Sequence, residues 1–375
     1  MTTIETHPRR REVRQLTGIR IIAAVWVVLF HFEGQYAALL PEIGGLVWLT
    51  GSRGFLAVDL FFVLSGYILA YQYLRSFSEG RGRYGEFLLK RLARIYPVHL
   101  VTLAALVVLV VLCGLRLGAP EHYTTIGAVQ DLLLVRGWFA PSQGWNFPAW
   151  SLSAEWLAYL LFPVIGVVIV RLARHSRGAL VAVSVALIAV EGIGAALLPW
   201  ADHMPVAPVR VLVAFSCGVA LLRLTENSVA TAARGWSGAL ILVALISGTP
   251  FLPEGPLLAA LSLAGATLVI GLLATGTGRA VDVLASGPME YGGRISFSVY
   301  MAHGIVLLLS PVRIIGIEGV ADWPLVARVG VALSQVFVVL GAGALLYHLV
   351  ERPGQRIVMS IARRRDSQRI SVRRP

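Results

Sequence analysis

The stretch Leu16-Thr-Gly-Ile-Arg20-Ile-Ile-Ala-Ala-Val-Trp-Val-Val-Leu-Phe-His31-Phe-Glu-Gly-Gln-Tyr36 decides how this chain is read. Its length matches the roughly 20 apolar residues that a helix needs to cross a bilayer. It nonetheless carries Arg20 at its start and His31 near its far end. Eleven residues are about three helical turns, so the two side chains share one face, ~16 Å apart along the axis. Ionisable groups inside a membrane helix are costly and point to function. The competing reading is that Arg20 snorkels to the headgroups and His31 is an interfacial polar residue.

The rest of the chain has the same character. It holds 375 residues, 57% of them hydrophobic and 14% charged, and its mean hydropathy is +0.76. Apolar runs at about 16–36, 54–74, 97–117, 149–170, 179–199, 206–222, 236–250, 256–275, 295–314 and 323–350 read as ten spans. The expected fold is an all-α, polytopic membrane bundle. A basic segment over 1–15 precedes the ten-helix domain at 16–353, and a basic tail at 354–375 follows it, expected to be disordered. The first span has basic flanks but no small-residue cleavage site, and reads as a retained helix.

The net charge of +12 raises the question of nucleic acid, and its distribution answers it. With alternating spans and a cytoplasmic amino terminus, Arg9, Arg10, Arg11, Arg14, the 75–94 loop, Arg171, Arg174, Arg177, Arg223, Arg234, Arg279, Arg294 and the tail from Arg352 fall on one side. The other side keeps few, such as Arg53, Arg116 and Arg136. This is the positive-inside pattern. It places both termini in the cytoplasm and the protein in the inner or plasma membrane as a multi-pass protein, with lipid and not nucleic acid as its surroundings. Cys113 and Cys217 lie in apolar spans and provide no disulfide framework, and no spacing of histidines or cysteines indicates a metal site.

Helix polarity assigns depths. His31 lies in the outer third of the first span. The fourth opens Pro148-Ala-Trp150-Ser151-Leu-Ser-Ala-Glu155, which sets Glu155 one to two turns below the outer surface, near the level of His31. A carboxylate near a helix amino terminus is favoured by the dipole. A His31–Glu155 pair explains both residues more fully: the carboxylate orients the imidazole, whose other nitrogen takes a proton from a hydroxyl. Asp59, also in an outer third, either joins this polar centre or pairs with a nearby arginine. Ser65-Gly66 reads as a helix-packing pair.

At the inner face, Glu86–Arg94 is expected to form a short surface helix, with Pro97 opening the third span. Arg91 and Arg94 project together, and Arg20 emerges at the same level. They are either ordinary positive-inside charge or a phosphate clamp, since arginine forks match phosphate oxygens. The clamp would suit a polyphosphate donor such as coenzyme A. The chain has no glycine-rich phosphate loop. The outer loop 118–148 could cover an outward-facing site. Tyr300 and His303, at i, i+3 in the ninth span, either line the same cavity or are structural.

Taken together, these segments resemble the integral-membrane acyltransferase family 3, which includes bacterial surface-polysaccharide O-acetylases and macrolide acyltransferases. The matching residues are Arg20 with His31; Gly54, Asp59 and Phe61-Phe-Val-Leu-Ser-Gly66; Arg91 and Arg94 before Tyr96-Pro97; Trp150-Ser-Leu-x-x-Glu155; Ser296-Phe-x-x-Tyr300-x-x-His303; and Glu351-x-Pro353. Met301 departs from the usual leucine, and no esterase-like domain follows the last span. The resemblance implies O-acylation, such as O-acetylation, from a cytoplasmic acyl-coenzyme A, with an acetyl or short-chain group, no metal, and carbohydrate modification as the outcome. His31 becomes the base or transient acyl carrier and Glu155 its partner. Arg20, Arg91 and Arg94 become the donor site, with Asp59, Trp150, Ser151, Tyr300 and His303 as further cavity residues. The expected acceptor is a glycan, a glycolipid or other lipid-linked sugar, or a small glycoside. The alternative is a transporter or flippase using the same residues as a proton relay.

Overall fold

A computed structural model of the chain describes residues 13–116, 123–139, 144–174, 176–197, 207–316, 319–320 and 322–372. Arg9, Arg10 and Arg11 lie outside the described residues, as do 118–122 and 140–143 of the outer loop. Among the described residues, ten helices are long and apolar enough to cross a membrane. They are built on α1 (Arg14–Leu39), α2 (Ala57–Leu69), α3 (Tyr84–Cys113), α4 (Ala149–Ala173), α5 (Arg177–Leu197), α6 (Ala207–Thr225), α7 (Ala232–Gly248), α8 (Pro256–Ala274), α9 (Gly287–Leu308) and α10 (Leu325–Leu346). Among the described residues there is no strand, apart from one isolated bridge between Thr231 and Gly276.

α2 and α9 are the most enclosed spans, while α5, α7 and α10 are largely exposed at the bundle's rim. A rim helix is apolar on its outward face because lipid is its solvent. The central helices meet through glycine. A Cβ on Gly66 of α2 would collide with the Phe215 carbonyl of α6, and one on Gly218 with the Val63 carbonyl. Gly18 of α1 and Gly293 of α9 are equally closed, against the carbonyls of Leu284 and Thr17. Small residues let the backbones approach where lipid supplies no hydrophobic drive for helix association. Beside this seam, Arg210 of α6 donates from Nε to Asp59 Oδ1 at 2.5 Å and from a terminal nitrogen to the Phe55 carbonyl at 3.2 Å. Ser262 of α8 donates to Asp59 Oδ2 at 2.9 Å. Asp59 thus ties three helices together.

Three expectations change. Glu86–Arg94 is not a separate surface helix: α3 runs unbroken through Pro97. Proline removes one helical hydrogen bond, but surrounding helices tolerate this within a membrane bundle. Here the backbone at Gly354 packs against the ring, and a Cβ there would lie 2.6 Å from it. Arg91 and Arg94 therefore ride on a membrane span. Second, helix α11 (Arg352–Val372) occupies most of the segment expected to be disordered. Third, the ninth helix starts well before Ser296, because Pro288 can occupy the first turn. α2 and α10 each continue into a π-helical turn, Ala70–Leu74 and Tyr347–Glu351.

Candidate active site

A cavity of about 900 Å³, counting its open mouth, lies among α1, α2, α3, α4 and α9. Arg20, Arg91, Arg94, Ser151, Glu155 and Tyr300 line it, together with Ser65, Tyr159 and an apolar wall that includes Phe61, Phe62 and Ile68. Residues up to 280 positions apart in the chain thus share one space, and six of the ten residues singled out from sequence meet there.

Each arginine is held differently. Arg94 pairs with Glu351, a fully buried carboxylate that also accepts from Ser298 at 2.6 Å. Arg91 lies over the Tyr73 ring, 5.5 Å from its centroid, and a terminal nitrogen reaches the Tyr73 hydroxyl at 3.4 Å. Tyr73 and Glu351 both belong to the π-helical turns, a local geometry common at functional sites. The Nε atoms of Arg20 and Arg91 are buried with no hydrogen-bond partner among the described residues. Buried donors in this state are costly, and an anionic ligand in the cavity would satisfy them.

Glu155 accepts from Ser65 at 2.6 Å and from Tyr159, one turn further along α4, at 2.5 Å. Ser65 therefore faces the cavity, while Gly66 alone makes the helix contact. The expected His31–Glu155 hydrogen bond is not formed. His31, half-buried, sets Nδ1 2.9 Å from the Val27 carbonyl. Its ring neighbours are Phe147 at 4.6 Å and His303 at 4.9 Å between centroids. Axial depth, which sequence estimates, was similar for His31 and Glu155. The rotation of α4 about its axis, which packing sets, turns Glu155 toward Ser65 of α2.

Tyr300 links the two regions. It lines the cavity, shares a hydrogen bond with Ser151 at 2.8 Å, donates to the Pro148 carbonyl at 3.1 Å, and has its ring 5.5 Å from that of His303. His303 is fully buried, with Nδ1 on the Tyr300 carbonyl. A carbonyl only accepts, so both neutral imidazoles carry their proton on Nδ1 and present a lone pair at Nε2. Nε2 of His303 has no partner among the described residues. Three of the expected cavity residues do not line the cavity, His303 beside His31 and two that stand elsewhere. Asp59 belongs to the helix tie with Arg210, and Trp150 is buried edge-on to Phe62, 6.3 Å between centroids.

Over the same end of the bundle, Thr125–Leu132 and Arg136–Phe139 form short helices. Asp131 accepts from the Trp145 backbone at 3.0 Å and lies 3.9 Å from Arg136. Burial pushes the Asp131 carboxyl up to about 6, above its ordinary 3.8. Between those values the folded segment holds more protons than the opened one, so its stability falls as pH rises from about 4 to 6. Hydrogen-exchange protection of residues 125–132 is expected to drop over that window, and Asp131→Asn to remove the dependence.

Sequence reasoning missed Ser65, Tyr73, Tyr159, Arg210 and Phe147 as site or supporting residues. Tyr159 and Arg210 left usable signals, the first in its i, i+4 spacing from Glu155 and the second as an arginine inside an apolar span.

This buried, arginine-lined chamber next to a histidine pair sits in a chain whose residues 13–347 match the acyltransferase domain of acyltransferase family 3. The chain belongs to that family and is a multi-pass membrane acyltransferase. It is 30% identical over 371 residues to the acyltransferase MdmB of Streptomyces mycarofaciens, covering 94% of each chain. It is 28% identical over 174 residues to a putative O-acetyltransferase of Staphylococcus aureus (strain COL), covering 42% of this chain and 25% of that protein. To protein 2 in the picA locus of Rhizobium radiobacter it is 39% identical over 155 residues, covering 37% of this chain and 75% of that one. No solved structure matches the chain. Among the described residues no group of histidine, cysteine, aspartate or glutamate is placed to hold a metal.

Proposed function

We propose that this protein is a membrane O-acyltransferase that moves an acetyl or short-chain acyl group from acyl-coenzyme A to a hydroxyl of a sugar-containing or lipid-linked acceptor. The observation that carries this reading is the continuous arrangement from the Arg20–Arg91–Arg94 cavity, through Tyr300, to the His31–His303 pair. The similarity to a putative O-acetyltransferase favours a hydroxyl acceptor. The thioester provides the driving force, so neither nucleotide nor metal enters the reaction.

In this reading the donor's phosphates lie against Arg20, Arg91 and Arg94, and its acyl arm runs along the α1 stripe toward His31. Glu155, held by Ser65 and Tyr159, sits opposite the guanidinium groups as their counter-charge. His31 donates Nδ1–H to the Val27 carbonyl, which leaves the Nε2 lone pair to take the acceptor's proton as its oxygen attacks the thioester carbon. The C–S bond then breaks, and the imidazolium returns that proton to the departing thiolate. The second imidazole, His303, lies beside His31 as a further proton acceptor.

The test is purified protein in nanodiscs with labelled acetyl-coenzyme A and extracted glycolipids and glycosides. Donor-dependent, His31-dependent ester formation supports the reading. Acceptor movement across the bilayer without transfer would support a transporter instead. The donor assignment has its own test. Arg91→Ala is expected to raise the KM for acetyl-coenzyme A about 10- to 100-fold, the equivalent of a lost charged hydrogen bond of about 1.5–3 kcal/mol. A truncated thioester without phosphates should show no such change.

A further inference from the structure

Phe147 lies between α4 and the short outer helices, and its surroundings set it apart from the rest of that segment. Its ring centroid is 4.6 Å from that of His31 and 5.2 Å from that of His303, so one phenyl group lies against both imidazoles. Phe147 is half-buried, while Trp145, Asn146 and Pro148 on either side are buried. Those neighbours are anchored. Asn146 donates from Nδ2 to Thr102 of α3 at 3.2 Å, and its carbonyl accepts from Ala149 at 2.8 Å. The Pro148 carbonyl accepts from Ser151 and Tyr300, both at 3.1 Å. The backbone on both sides of Phe147 is therefore fixed, and the half-buried ring meets the His31 ring at 43° and the His303 ring edge-on at 85°.

Two polar atoms beside this ring are buried without partners among the described residues, Asn146 Oδ1 and His303 Nε2. Asn146 uses its NH₂ group on Thr102, and His303 uses Nδ1–H on the Tyr300 carbonyl. Both orphans are thus acceptors, and the group that satisfies an acceptor is an O–H or N–H donor. Gly304 closes the same spot, since a Cβ there would come 3.0 Å from the Phe147 ring and 3.3 Å from Asn146 Oδ1.

We propose that Phe147 is the specificity-determining cover of the acceptor side, admitting a hydroxyl on an apolar carbon ring to the imidazoles and excluding water. This rests on the reading of His31 as the base for transfer from a thioester. A hydroxyl attached to a ring has the two features the spot displays: an O–H for the orphaned acceptors and an apolar face for the phenyl group. Water has only the first. When water does attack, its oxygen bonds to the thioester carbon, the C–S bond breaks, and the thiolate takes up the proton released by water. The products are free coenzyme A and a carboxylic acid, an unproductive loss that water-excluding active sites suppress.

The test measures free-thiol release from acetyl-coenzyme A by the full-length protein in nanodiscs, with no acceptor, and methyl acetate formation with added methanol. Phe147→Ala is expected to raise both by about tenfold or more, the scale on which apolar pocket contacts discriminate. Phe147→Leu, which keeps an apolar cover and guards against a folding defect in the alanine variant, should raise them less. Both increases should vanish when His31→Ala is added. Unchanged thiol release in a folded Phe147→Ala protein would overturn the proposal. So would a parallel fall in hydrolysis and glycolipid acylation, which would make the ring purely structural. If the unaltered protein shows no His31-dependent reaction with acetyl-coenzyme A at all, the underlying reading fails, and the cover with it.

Discussion

His31→Ala is expected to lower acyl transfer by about 10²- to 10⁴-fold, the contribution of a positioned general base, with little change in thermal stability. The imidazole is half-buried and makes one hydrogen bond, to the carbonyl four residues earlier in its own helix. Its loss removes ring contacts with His303 and Phe147 but no hydrogen bond between helices. His31→Gln sharpens the comparison, because an amide can still donate to the Val27 carbonyl yet has no basic lone pair. Both variants should therefore be equally inactive, with unaltered KM for the donor, whose phosphates are assigned three turns away around Arg20. A His31→Ala protein with full transfer activity would sink the mechanism. Loss of activity accompanied by aggregation would instead assign His31 to the fold.

The largest expected loss of stability is at Asp59. Its carboxylate receives Arg210 from α6 and Ser262 from α8 within the bundle, and all three side chains are buried. Breaking a buried ion pair by removing one partner costs about 3–5 kcal/mol. Asp59→Ala should therefore lower the unfolding midpoint in detergent far more than Arg91→Ala, since Arg91 is held by the Tyr73 ring and hydroxyl and not by a buried carboxylate. The paired replacement Asp59→Leu with Arg210→Met should recover only part of that loss: it removes both charges of the pair, but buried Glu191 of α5, which Arg210 also attracts, loses its counter-charge. The folded fraction of either variant is expected to keep its donor KM, because Asp59 does not line the cavity. A changed donor KM at full stability would return Asp59 to the catalytic centre.

These two predictions fall on residues that the linear chain presents alike. Asp59, Glu155 and His31 are each a polar group in the outer third of an apolar run. Hydropathy places all three at a depth, because depth follows from counting residues at about 1.5 Å each along a helix. Which of them meet depends on how each helix is rotated and which neighbours it packs against. Gly66 and Gly218 draw α2 onto α6, which brings Asp59 to Arg210. The same α2 presents Ser65 to Glu155, so the carboxylate paired with histidine on depth alone is held by two hydroxyls instead. His31 finds its neighbours in His303 of α9 and in Phe147.

Local signals also misled where surroundings overrule them. Pro97 reads as a helix start, but α3 passes through it because the α11 backbone covers the ring at Gly354. The polar, arginine-rich composition of 354–375 reads as disorder, yet the chain continues as helix from the π-helical turn at Tyr347–Glu351 through Val372. Glu351 and Tyr73 orient two of the cavity arginines across more than one helix, and no spacing along the chain marks Tyr73 for that task.

By itself, the sequence determined the class of molecule: ten apolar spans, their approximate limits, and the small set of ionisable residues that the bilayer makes too costly to be incidental. Those properties follow from the free energy of placing each residue in hydrocarbon, which is local and additive along the chain. Only the tertiary structure decided the partners: Arg94 with Glu351, Arg210 with Asp59, Glu155 with Ser65 and Tyr159, and His31 beside His303 and Phe147. Partnership depends on helix rotation and on close backbone contact at particular glycines, properties of the packed bundle that no single span contains.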